Sequence, residues 1–254
     1  MVTGAARGIG RAIVEAIVAS GHGAVAFDRE ESALGWASSR PAYDRIRAVV
    51  GDAGNPDDCR RAAAVAAELG SVSGWINNAA VFRDDFLHES PDQVIAAIDA
   101  NLRLAIVGTA VALDLLRASG LGGSIINISS HQGSRAVPGA LAYATAKSAI
   151  EGLTRATAVD YGADDIRANA LALGTIYTGR LEAELAELGI DERETRIAEL
   201  SALHPLGRVG STADVAATVV FLLSDEAAFI SGAVIPVDGG RAALGQDPEA
   251  RYPA

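Results

Sequence analysis

The chain has 254 residues, half of them apolar and only 5% aromatic, and its formal net charge is −11. An acidic chain with no Lys/Arg run is repelled by phosphate backbones, which argues against nucleic-acid binding. Apolar runs such as 62–67 and 215–223 fall short of the ~20 residues that span a bilayer. The start carries no export signal, and a lone cysteine, Cys59, suits a reducing, cytoplasmic compartment.

Only Met1, Val2 and Thr3 precede the first glycine turn, where a mid-sheet strand is expected, so further strand backbone ahead of Met1 is anticipated. A helix follows over 8–20, with Ile9, Ile13 and Ile17 on one face. Short buried-type strands are expected at 24–27, ending at Asp28, and at 46–50, ending at Gly51-Asp52. Pro56-Asp57-Asp58 opens a helix to about Leu69, acidic where the helix dipole favours it. Cys59 sits among charged neighbours and reads as a helix-surface or half-buried residue.

A strand at 73–77 leads to helices from Pro91 and from about Asp99 to Ser119. Gly122-Gly123 breaks the chain before an Ile-rich strand at 124–129. A helix at 142–161, a strand at 166–171, a Glu-rich helical stretch at 179–200, a helix at 212–223 and a strand at 233–237 complete the pattern. Alternating strands and helices imply parallel pairing through right-handed crossovers: an α/β, open doubly wound sheet. No linker or repeat divides the chain, so 1–254 reads as one domain with a polar tail at 246–254 that lies on the surface or crosses to a neighbouring subunit.

Thr3, Gly4, Arg7, Gly8, Ile9 and Gly10 belong to the turn TGAARGIG. Glycines let backbone approach a pyrophosphate, and the helix N-terminus offers N–H groups and partial positive charge. Asp28, 18 residues after Gly10, ends the second strand, where a carboxylate accepts from an adenosine ribose 2′-OH and repels a 2′-phosphate. That favours NAD over NADP, with Arg7 and Arg29 as nearby cations that soften the preference. Asp52, with Ala53 beside it, is placed to reach the adenine edge.

Tyr143 and Lys147 lie four apart on one helix face. A phenol at its ordinary pKa of ~10 is a poor base near neutrality, and a neighbouring cation favours the phenolate. Ser129 and Ser130 end the Ile-rich strand at the carboxyl edge of the sheet, where ligands bind in such folds. Asn77, Asn78 and Ala79 end another strand there, and Asn101 places an amide in an otherwise apolar helix. The four histidines share no ligand spacing with the cysteine, so no metal is expected.

With these residues the chain resembles, over its whole length, the short-chain dehydrogenase/reductase family. Residues 3–10 match TGxxxGIG, Asn77-Asn78-Ala79 matches NNAG short of its glycine, and Tyr143 with Lys147 matches YxxxK. Ser130 stands 13 residues before Tyr143, the family's spacing. Gly174, Ile176 and Thr178 fall in the segment that holds the nicotinamide half of the cofactor. The resemblance implies a single-domain Rossmann-type sheet of about seven strands with helices on both faces, and a substrate lid at about 174–208.

It also implies roles. Tyr143 removes the hydroxyl proton, Lys147 contacts the nicotinamide ribose, Ser130 binds the substrate oxygen, and Asn101 holds a water linking Lys147 to solvent. Two departures stand out: Ala80 replaces a glycine that matters only if φ is positive, and Leu173 replaces a proline, which should loosen the loop over the cofactor. Substrate is expected near Arg83, His131, Gln132 and Val137. His131 reads equally as a solvated loop residue, and Tyr177 is similarly ambiguous. The acidic 181–199 stretch argues against strongly anionic substrates and for polyols, sugars or cyclic diols. Three readings stand: an NAD-dependent alcohol dehydrogenase, an NADPH-dependent carbonyl or 3-oxoacyl reductase, and a silent nucleotide-binding sensor. A homo-oligomer, dimer or tetramer, is expected through the helices at 99–119 and 142–161.

Overall fold

The computed structural model describes residues 1–38, 44–83 and 86–245; the tail at 246–254 lies outside them. Seven parallel strands form the sheet: β1 (Val2–Thr3), β2 (Ala24–Asp28), β3 (Ile46–Val50), β4 (Gly74–Asn77), β5 (Gly123–Ser130), β6 (Ile166–Leu173) and β9 (Val234–Val237). Their order is β3-β2-β1-β4-β5-β6-β9. Because the chain winds outward in both directions from β1 and β4, a crevice opens at the carboxyl ends of those two strands. β7 (Ile176–Tyr177) and β8 (Gly210–Ser211) make a separate ribbon that the sequence did not announce.

Strand residues alternate between two apolar layers, as a sheet covered on both faces requires. On one side Ala24, Ala26, Ile126 and Ile128 pack with Ile13 and Ile17 of α1 (Gly8–Ala19) and Val215 and Val219 of α7 (Thr212–Leu223). On the other, Val25, Phe27, Trp75 and Ile125 pack with Ala62 of α2 (Pro56–Glu68) and Leu116 of α3 (Pro91–Ser119). Cys59 belongs to this second layer, fully buried, with its thiol donating to Ala53 O and pushed up to about 11 by burial. Its charged neighbours point away, which corrects its placing as a helix-surface or half-buried group.

α3 is one continuous helix of 29 residues rather than two. Asp99, Asn101 and Arg103 interrupt the apolar run in sequence, but the helix remains long and apolar enough to cross a membrane by length and composition, so the expected absence of such a stretch does not hold. In the fold its Val94, Ala97, Ala105, Val111 and Leu116 are buried. The Glu-rich stretch is two helices, α5 (Gly179–Ala186) and α6 (Ile190–Ala202), because the chain breaks at Glu187 to Gly189. β1 has only two residues, yet it pairs with both β2 and β4, and Met1 N donates to Gly74 O.

Polar side chains cross-link the layers at mid-sheet. Asn77 Nδ2 on β4 donates to Asn127 Oδ1 on β5 at 2.8 Å and to Thr109 Oγ1 on α3 at 3.0 Å. Asn127 Nδ2 donates in turn to Thr154 Oγ1 at 2.9 Å, on α4 (Leu141–Tyr161). Trp75 Nε1 donates to Asn77 Oδ1, and α3 can pass close only because residue 108 is glycine: a Cβ there would sit 2.0 Å from that oxygen.

Candidate active site

The first turn is built around close backbone approach. Gly4 (φ +65°) and Gly8 (φ +56°) adopt conformations that L side chains rarely take. A Cβ on Gly10 would lie 2.2 Å from Gly4 O, and one on Gly4 would lie 2.8 Å from Ala79 Cα. Thr3 Oγ1 accepts from the N–H groups of Asn78 and Ala79, while Asn78 Nδ2 donates to Thr3 O and Gly4 O. These bonds brace the turn against β4. Arg7 provides no side-chain cap for α1, so the helix presents its first N–H groups to the crevice.

Asp28 closes β2 beside this turn. Its Oδ2 accepts from Ala6 N at 3.0 Å and its Oδ1 from Glu30 N at 3.2 Å, which fixes the carboxylate while leaving lone pairs for a ligand. Arg7 pairs with Glu30 at 3.3 Å between two well-exposed side chains, so this cation is already partly countered. Asp52 is exposed and accepts from Gly54 N, and Ala53 is buried. Ala80 does not have positive φ, so its replacement of glycine brings no backbone strain.

Tyr143 and Lys147 come together on α4. Lys147 is only 3% exposed; its Nζ donates to Ile128 O at 2.7 Å and lies 5.3 Å from the Tyr143 ring centroid. Burial pulls the ammonium down from 10.5 to about 8, an effect that Glu151 opposes. Ser130 Oγ accepts from Gln132 N at 3.2 Å, leaving its hydroxyl hydrogen to donate elsewhere. Phe82 stacks on Tyr143 with centroids 5.4 Å apart, and Arg180 of α5 lies over Phe82 at 4.1 Å, so the lid reaches the tyrosine through an aromatic wall.

Asn101 is buried in α3 with its amide committed to backbone. It accepts from Val81 N and donates to Val81 O and Ala97 O, tying the segment after β4 to the helix. Leu173, the residue in place of proline, extends β6 by a rung, paired with Ser130 and Val237. Gly174 is required by close approach: a Cβ would meet Asp238 Cα at 2.8 Å. Ile176 pairs with Gly210, and Thr178 sits against the first turn, 3.8 Å from where a Gly8 Cβ would be. Tyr177 contacts Glu182 and Arg193 within the lid.

Two residues escaped notice in the sequence. Glu151, one helical turn past Lys147, is a buried carboxylate that accepts from Ser129 Oγ at 2.9 Å; a Cβ on Gly133 would crowd its Oε1 at 2.4 Å. The four-residue step from Lys147 could have signalled it. Phe82 had no local signal, since it joins the site through the loop after β4. His131 is not a solvated loop residue: it is 6% exposed, its Nδ1 bonded to Leu173 O.

Residues 4–242 match the family model described as Enoyl-(Acyl carrier protein) reductase. The 2-(S)-hydroxypropyl-CoM dehydrogenase 3 of Xanthobacter autotrophicus is 33% identical over 252 residues, covering 96% of both chains. The solved aldohexose dehydrogenase of Thermoplasma acidophilum superposes with a TM-score of 0.85 at 33% identity, covering 99% of this chain and 96% of that one. A structure from Beutenbergia cavernae, assigned as an NAD(P)-dependent gluconate 5-dehydrogenase and carrying NADP at low occupancy, gives 0.82 at 32% identity over 96% of each chain.

Proposed function

The chain belongs to the short-chain dehydrogenase/reductase family and is an NAD(P)-dependent oxidoreductase acting on CH–OH groups; from that premise we propose that it oxidises a secondary alcohol of the polyol, sugar or cyclic-diol kind to the ketone, with NAD+ as its partner. The observation that carries this reading is a buried ammonium one helical turn from a half-buried tyrosine, at the sheet edge that also holds Ser130.

The crevice fits a dinucleotide. The uncapped start of α1 and the glycine turn would hold the pyrophosphate, through Gly4, Arg7, Gly8 and Ile9. Asp28 would take the adenosine ribose, Asp52 and Ala53 the adenine, and Asn78 and Ala79 the middle of the molecule. Gly174, Ile176 and Thr178 would enclose the nicotinamide half, with Tyr143 and Lys147 at its ribose. When bound, NAD+ supplies the hydride acceptor.

The chain's own residues supply proton chemistry and orientation. Ser130 donates to the substrate oxygen, and Tyr143 accepts the hydroxyl proton. Lys147 places positive charge in a low-dielectric setting beside the phenol, where it stabilises a developing phenolate more than it would in water. Asn101 holds the Val81 segment, and with it Phe82, against the tyrosine. That one structural neighbour is named an aldohexose dehydrogenase and another is assigned as a gluconate 5-dehydrogenase agrees with a polyhydroxylated substrate.

Asp28 favours NAD; the NADP in one neighbour supports a second reading, carbonyl reduction with NADPH. Fluorescence titration with NADH and NADPH side by side separates them. Tighter NADH binding followed by alcohol oxidation supports the first reading; tighter NADPH binding overturns the role given to Asp28. Any turnover excludes a silent nucleotide sensor. Assembly into a dimer or tetramer through α3 and α4 fits the exposed apolar Ile106 and Val159 on those helices.

A further inference from the structure

The carboxylate of Glu151 is buried in α4 and takes no part in the proton chemistry above. Taking such a group out of water is costly, and one bond from a neutral hydroxyl does not repay it. That bond comes from Ser129 Oγ, which donates to Oε1 at 2.9 Å. The turn at 131–133 closes over the same oxygen: a Gly133 Cβ would fall 2.4 Å from it.

The position of Glu151 points to Lys147. The two residues are four apart on α4, so they share a face with Cβ atoms roughly 5–6 Å apart. Both reach the same strand at consecutive residues. The last pair of β4 with β5 is Asn77 with Asn127, so Ile128 O lies past the end of β4, and the Lys147 ammonium bonds that carbonyl at 2.7 Å. Ser129, the next residue, is the one that holds Glu151. One charge of each sign is thus buried over one stretch of β5, where water screens them little.

The surroundings offer no rival. Burial draws the ammonium down, and Glu151 is the charge that opposes this. Tyr143, one turn back, is the other titratable group on that face. The elements packed against α4 are α3, β5, β6, the turn at 131–133 and residues 162–165. The charged side chains of α3, of 162–165 and of the rest of α4 are exposed. β5 carries none, and Arg167 of β6 bonds Leu222 O and Ile230 O. His131 on the turn has its pKa lowered, first by burial, so it adds no charge in the alkaline range.

We propose that Glu151 is the counter-charge that keeps Lys147 an ammonium at the pH where Tyr143 works, a positioning residue that acts on the reaction through Lys147. Its consequence for turnover deepens the dehydrogenase reading and rests on it; the charge held on Lys147 does not. Without the carboxylate the ammonium releases its proton at lower pH, and the phenolate loses its stabilising neighbour.

Lys147 is the only lysine in the chain, so lysine labelled with nitrogen-15 at Nζ gives one side-chain signal that reads its protonation. The experiment titrates that signal through the alkaline range in wild type and E151Q. Glutamine keeps the shape and the acceptor for Ser129 but not the charge. Wild type is expected to titrate at about 8, and E151Q at least ~0.5 unit lower. An E151Q midpoint within ~0.5 unit of wild type, or above it, overturns the proposal. The alkaline limb of the kcat/KM profile should move to lower pH in E151Q by a like amount; an unmoved limb overturns the role in turnover. Should E151Q fail to fold, K147M/E151Q must fold, because with the ammonium gone the carboxylate has nothing to balance, and an unfolded double variant overturns the proposal. Wild type inert to every alcohol and ketone overturns the dehydrogenase reading instead, and the titration still decides the charge on Lys147.

Discussion

Replacing Lys147 by methionine should make the protein more stable and catalytically crippled at the same time. In the fold the ammonium is 3% exposed and releases its proton near 8, against 10.5 for a free lysine, a difference worth roughly 3 kcal/mol. Between those two values the unfolded chain binds more protons than the native one, so unfolding free energy rises with pH, at about 1.4 kcal/mol per pH unit for this group. Below about pH 8 both states are protonated and the native state bears the full burial penalty. Methionine has similar length and no charge, so K147M removes the penalty but leaves Ile128 O without its bond, a loss of about 1 kcal/mol. The net gain near neutrality is about 1–2 kcal/mol, or roughly 3–6 °C in Tm for a domain of this size. Parallel urea unfolding of both proteins at several pH values gives the comparison. The advantage of K147M should be constant near neutrality and shrink steadily from about pH 8 towards pH 10. A variant less stable than wild type near pH 7, with a difference that is flat with pH, would refute the assignment of Lys147 as a strained buried cation.

Three further outcomes are expected. Y143F should lower kcat about 100- to 10,000-fold while leaving NADH affinity within a few-fold; equal losses in binding and turnover would mean that the phenol serves binding instead. D28A should weaken NADH by about 10- to 100-fold with little effect on NADPH, the size expected for losing one or two hydrogen bonds to a carboxylate, and calorimetric titration with both nucleotides reads it. G10A forces a Cβ to within 2.2 Å of Gly4 O, so the turn must move, at a cost of about 1–3 kcal/mol; unchanged Tm and unchanged nucleotide affinity would show that the turn is not crowded.

Much of the site was legible because its chemistry is carried locally. The glycine turn, Asp28 at a strand end and the Tyr143–Lys147 step are short-range patterns whose spacing already dictates which atoms can meet. Burial is different, because it is decided by parts of the chain far away in sequence. His131 follows a strand and reads as a loop residue; it is covered because β6 and the segment after β9 close over it, bringing Leu173, Asp238 and Arg241 alongside. Cys59 sits among Asp58, Arg60 and Arg61, yet the helical period turns those charges outward and the thiol inward. Asn101 looked like an interruption of α3, but its amide finds the carbonyl one turn back and the Val81 backbone, so nothing forces a break. The polar lid was read as one helix because Leu188-Gly189 is a weak stop between two halves that both mix Glu and Arg with apolar residues.

The hydrogen-bonded chain from Trp75 through Asn77 and Asn127 to Thr154 bears on how this sequence can drift. Each member satisfies a buried neighbour, within β4 for Trp75 and Asn77 and across elements for the rest, and Gly108 must stay small for Asn77 to keep its place. Changing one residue strands a polar atom on another, at about 1–3 kcal/mol, whereas exchanging several together for apolar side chains of matching volume leaves nothing unpaired. Single substitutions along this chain are therefore disfavoured, and divergence there proceeds in concerted sets. Such positions would mark lineages by shared blocks of substitution, while the surface around them accumulates changes one at a time.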